Sequence, residues 1–118
     1  VADHALFIGF GSPRAGRERL AAQNFEDSVA YTEQLKAAGE IESAEIVTLT
    51  AHGGDLNGFF LLRGDPEKLA RLTMAPEFRR LALRAGIASE HVGFVNALVD
   101  GEALRSLAAW KEAVADLT

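Results

Sequence analysis

The chain has no cysteine. Disulfides, thiolate nucleophiles and cysteine-ligated zinc are therefore excluded. Positive charge is scarce: 12 Lys and Arg stand against 17 Asp and Glu, a formal net charge of −5. A balance of that sign gives no global attraction to nucleic acid or to an anionic membrane, so neither is expected as a partner. No apolar run approaches the roughly 20 residues of a membrane span. Val1-Ala-Asp-His carries no charged-then-apolar leader, so no signal peptide is expected and a cytoplasmic location is the default. Histidine is rare, at 3 residues, and His4, His52 and His91 form no H-x-x-x-H pair, so no metal site is expected. Gly9 to Gly16 leaves a strand and enters a helix, yet it fits neither G-x-G-x-x-G nor a P-loop. There is no nucleophile elbow and no carboxylate pair inside an apolar run. No cofactor is expected.

What remains is an ordinary globular composition, 48% hydrophobic and 25% charged over 118 residues. That length is one domain with one core. Its core is expected over about 4–99, with a terminal helix over about 102–117. Ala5-Leu-Phe-Ile-Gly-Phe10 reads as a first strand. A helix follows over about 17–38, with Leu20, Phe25, Val29 and Leu35 as its apolar stripe and Gly39 as its terminal glycine. A second strand is expected over 41–50, and a third over 58–63. The short connection between them implies an antiparallel hairpin. Asp65-Pro66-Glu67 announces the next helix as N-cap, first helical position and dipole-matched acid. Pro76 should break that helix and Gly86 should end it. A fourth strand is expected over 91–99. Ala103, Leu107, Trp110, Val114 and Leu117 then recur at helical spacing. The order βαββαβ plus a terminal helix is the ferredoxin-like arrangement, an α+β fold built on a four-stranded antiparallel sheet.

An antiparallel sheet with one wet face alternates apolar and polar residues. Here Leu6-Phe7-Ile8, Phe59-Phe60-Leu61-Leu62 and Phe94-Val95 with Ala97-Leu98-Val99 are apolar on both parities. Both sheet faces are expected to be buried, one by the crossing helices and the other by a second copy of the chain. The protein is thus expected to be a homodimer through its sheet faces. With Leu35-Lys-Ala-Ala-Gly-Glu-Ile-Glu-Ser43 and Gly58-Phe-Phe-Leu-Leu-Arg-Gly64, the chain resembles the dimeric α+β barrel superfamily, and within it the YCII-like domains. The resemblance implies a dimeric barrel whose members often act without a bound cofactor.

His52 and Asp55 are the candidate catalytic pair. They flank Gly53-Gly54 in a turn, where Asp55 would orient the imidazole and the glycines would let substrate approach. Alternatively the turn is structural and Asp55 bonds local backbone. Candidate substrate-binding residues are Phe7, Phe10 and Phe60 as apolar lining, Tyr31 on the long helix, Asn96 as the polar interruption of the fourth strand, and Arg14 as a local anion contact. Two functional readings follow. One is a small enzyme moving protons on a small apolar or aromatic molecule, with His52 as base. The other is a non-catalytic ligand-binding or assembly module.

Overall fold

The computed structural model describes residues 2–117. Four strands and four helices follow in the order β1 (His4–Phe10), α1 (Glu18–Ala37), β2 (Ser43–Thr48), β3 (Gly58–Arg63), α2 (Pro66–Leu72), α3 (Pro76–Ala88), β4 (Gly93–Leu98) and α4 (Asp100–Ala113). The strands form one antiparallel sheet ordered β2-β3-β1-β4. This is the expected ferredoxin-like α+β fold.

The helices show how local chemistry sets these bounds. Gly39 takes φ +75°, and its neighbourhood returns to α1 through Gly39 N–H to the Lys36 carbonyl and Glu40 N–H to that of Leu35. A residue with a Cβ rarely adopts that conformation. Asp65 caps α2 by accepting from the Lys68 N–H at 3.1 Å, and Pro66 occupies the first turn. The break expected at Pro76 is present: α2 stops at Leu72 and Pro76 opens a separate helix, in the first turn where its missing N–H leaves no bond unmade. Gly86 does not end that helix, which runs on to Ala88.

Side chains alternate cleanly across the sheet. Even-numbered residues of all four strands face the helices, and odd-numbered residues face away, as the register requires: Leu6 opposite Leu62, Phe7 opposite Leu61, Ile8 opposite Phe94. The even face carries the core, in which Leu6, Phe60 and Leu62 pack with Leu35, Ile41, Leu69, Leu72 and Phe78. On the odd face Phe7 and Phe59 touch with ring centroids 5.1 Å apart.

Among the described residues nothing seals that odd face at β4, where Val95 is 60% exposed although the sequence pattern predicts burial on both sides; on the even face of the same edge strand Phe94 and Leu98 are 48% and 45% exposed. Helix α4 does not cover the odd face either, because none of its residues is buried. Its first turn is held by ion pairs. Arg63 joins Glu45 and Asp100, at 2.9 and 3.1 Å, and Arg105 joins Asp3 and Glu102. Among the described residues no helix is long and apolar enough to cross a membrane.

Candidate functional site

A cavity of about 360 Å³ lies between the even face of the sheet and helices α1 and α3. Its walls are aromatic. Phe10, Phe25 and Phe60 meet edge to face, with centroids 5.4 to 6.3 Å apart, and Phe78 meets Phe94 at 5.2 Å. Such packing leaves ring faces and edges for a flat apolar guest.

One wall is polar. Asn24, Ser28 and Thr32 recur every four residues along the inward side of α1 and all line the cavity. Thr32 Oγ1 donates to the Ser28 carbonyl at 2.8 Å, which orients the hydroxyl and leaves its oxygen free to accept. Asn24 Nδ2 donates to the Leu81 carbonyl at 3.4 Å, while Asn24 Oδ1 is buried without a partner. An unpaired buried carbonyl oxygen costs about 1–3 kcal/mol, a cost usually tolerated where a polar group serves a purpose. The expected stripe of α1 was Leu20, Phe25, Val29 and Leu35. Phe25 and Leu35 line the cavity as part of it. The small polar residues at 24, 28 and 32 share that inward side, and their four-residue recurrence was the available signal.

The candidate residues divide. Phe10, Tyr31 and Phe60 line the cavity, as does Phe94. Tyr31 sits where α1 meets α3, and its hydroxyl is pushed above its ordinary pKa by burial first, then by the Glu77 and Glu40 carboxylates. It is therefore a neutral donor at physiological pH rather than a base. Phe7 is on the opposite face of the sheet, because it is an odd residue of β1. Asn96 is an exposed residue of β4 and is not among the lining residues. Arg14 reaches away: its Nε donates to the Gly86 carbonyl at 3.4 Å, and Arg17 Nη1 donates to that of Ile87 at 3.1 Å. The two cations thereby complement the carbonyl end of α3.

His52 and Asp55 are not brought together. His52 Nε2 lies 2.8 Å from the Leu56 carbonyl, and its Nδ1 accepts from the Gly54 N–H at 3.2 Å. These partners fix the proton on Nε2 and fold the ring back on its own turn. The Asp55 carboxylate instead stands 3.8 Å from His91 Nε2, with both side chains mostly exposed. His91 also takes φ 54°, a conformation uncommon outside glycine. Three loops meet here, at the end of the sheet where Gly11, Pro13 and Ser89 line the cavity. Gly11 N–H donates to the Glu90 carbonyl at 2.8 Å, Asn57 Nδ2 donates to Ser12 Oγ, and a Cβ on Gly11 would press within 2.8 Å of the Asp55 and Glu90 carbonyl oxygens. Among the described residues, Glu18 at the start of α1 is the one carboxylate lining the cavity, and no Lys, Arg or His lines it.

The sequence matches no protein-family model and no curated protein. Its fold does match solved structures. A hypothetical protein from Arabidopsis thaliana aligns with TM-score 0.61 at 12% identity, over 82% of this chain and 88% of that one. A dimeric ferredoxin-like protein of unknown function from Bacteroides fragilis aligns with TM-score 0.58 at 13% identity, over 81% and 96%. SnoaB, a cofactor-independent oxygenase from Streptomyces nogalater, aligns with TM-score 0.54 at 16% identity, over 84% and 95%. At these identities the likeness is one of fold.

Proposed function

We propose that this protein is a homodimer of the α+β barrel type that binds one small, neutral, largely aromatic molecule per chain in the cavity between the sheet and helices α1 and α3. The observation that carries this is the lining: a phenylalanine wall faced by the Asn24-Ser28-Thr32 ladder, with Glu18 as the sole carboxylate and no cationic side chain among the described residues. An anionic guest would meet a carboxylate and no counter-charge in a low-dielectric space, which is costly. A neutral ring bearing a hydroxyl or carbonyl would find apolar walls and hydrogen-bonding groups together. The YCII-like resemblance of the segments 35–43 and 58–64 supports the same reading, as does the dimeric state named for the Bacteroides fragilis neighbour.

The test is thermal stabilisation by a matched set: phenol, benzoquinone and coumarin against benzoate. A ligand of the folded state stabilises by about 2.7 kcal/mol at a hundred times its Kd. The neutral compounds are expected to raise Tm, benzoate is not, and Ser28→Phe, which fills the cavity, is expected to abolish the shift. Stabilisation by benzoate equal to that by phenol, or a shift that survives Ser28→Phe, would overturn the reading.

A catalytic version is favoured by one further observation, the ionisable groups gathered where the three loops meet: Asp55 with His91, and His52 on the same loop as Asp55. It is also in keeping with the cofactor-independent oxygenase among the fold neighbours. In it, proton transfer at the cavity entrance falls to His91, with Asp55 holding its imidazole, or to His52, whose ring is held by its own turn. Turnover of a bound quinone or phenol that is lost in His52→Ala or His91→Ala, with affinity unchanged, supports it. Equal turnover in both variants rejects it and leaves the binding module.

A further inference from the structure

We infer that helix α4 is an arm that docks on the second copy of the chain, so that the dimer interface consists of the odd sheet face plus an exchanged C-terminal helix. This rests on the homodimer proposed above and adds the element that completes it.

Four observations converge. The first is shape. A compact chain of this length has a radius of gyration of about 13.5 Å, whereas this one has 16.1 Å and extents of 52 × 37 × 23 Å. The second is the state of the helix. Leu104, Leu107 and Trp110 are 69%, 53% and 62% exposed, and the one substantial contact of α4 is with β4. A 14-residue helix is marginal in water without tertiary packing. Its apolar residues nevertheless fall along one side, with Glu102, Arg105 and Glu112 opposite.

The third is continuity. Helix α4 follows directly in the chain on the edge strand β4 and touches it, and Val95 of that strand is exposed on the odd face, so exposed apolar surface on the strand is followed by exposed apolar surface on the helix. The fourth is area. Four strands of six residues present a face of roughly 20 × 19 Å, or about 400 Å². A standard interface buries about 800 Å² per partner. The sheet face alone falls well short, and a helix of this length adds a stripe of roughly 200 Å² before side-chain relief is counted. A second copy brings an identical open face and an identical unpartnered helix, so a two-fold pairing gives both a place.

Trp110 is the chain's sole tryptophan and sits on the exposed stripe. The experiment follows its emission and its acrylamide quenching in the full chain across a dilution series, with sedimentation giving the mass of each sample. In the dimer, Trp110 is expected to emit at shorter wavelength and to quench several-fold more slowly than after dilution to monomer. Leu107→Glu is expected to raise the dimer Kd at least tenfold while leaving the far-ultraviolet circular dichroism of the folded chain unchanged. A dimeric mass with Trp110 as quenchable as free tryptophan overturns the arm and leaves the sheet-face dimer standing. A monomeric mass at every concentration overturns both, and Trp110 shielded in a monomer shows that α4 packs on its own chain, which also overturns the arm.

Discussion

Tyr31 shows how far one residue's environment departs from its sequence context. It was legible as a candidate, because a lone tyrosine on an amphipathic helix sits at the boundary of core and solvent. The two acids that act on it were not, because Glu77 lies on another helix and Glu40 beyond the end of α1. Burial and both carboxylates favour the neutral phenol, so the folded-state pKa lies above the unfolded value of 10.0. The folded chain then holds its proton more tightly than the unfolded chain does. Its contribution to stability is complete below pH 10 and is lost as pH rises through the folded-state pKa. Urea unfolding between pH 9 and 11 is expected to show that loss in the wild type and a smaller one in Tyr31→Phe. His52 teaches the opposite lesson. Its nearness to Asp55 in sequence suggested a pair, yet backbone partners two and four residues away satisfy both ring nitrogens. Asp55 found its histidine at position 91, across two loops, where only the fold brings it.

Among the elements, those with explicit punctuation were read most accurately. The third strand stands at Gly58–Arg63 as expected, because a glycine-rich turn precedes it and Gly64-Asp65-Pro66 follows. Helix α2 begins where Asp65 and Pro66 place it. Asp65→Ala is expected to lower stability by about 1 kcal/mol, the usual worth of such a cap, seen as a lower urea midpoint at unchanged slope. The β2 and β4 boundaries were read too long, since Ile41 and Val92 are apolar but lie outside the ladder. Ile41 is buried all the same, packed in the core from a turn. Helix α1 was located correctly, but its inward side was read from its large apolar residues. The polar ladder between them belongs to the cavity, and a periodicity argument weighted by hydrophobicity discounts such residues.

For the whole molecule, the sheet has one face packed by helices and one face open, and a second copy would cover that open face. If two chains share it, unfolding is linked to dissociation, and Tm should rise with protein concentration. Scans from about 1 to 100 μM are expected to show that rise, and a Tm independent of concentration would speak against the dimer. The double apolarity of the strands was legible in the sequence. That β4 and α4 remain exposed in the single chain was not, because exposure depends on what the chain fails to cover rather than on what it contains.

The alternation of the strands has a practical consequence. The cavity and the open face are two sides of one sheet a single residue thick, and position parity decides which side a side chain serves. Substituting Ile8, Phe60 or Phe94 reshapes the ligand site, while substituting Phe7, Phe59 or Val95 addresses association. A mutagenesis library confined to even strand positions would therefore explore ligand preference at constant assembly, and the odd-position library would do the reverse. A one-residue deletion within β1 would exchange the two sets at a stroke, so length variation in these strands should be far rarer than substitution.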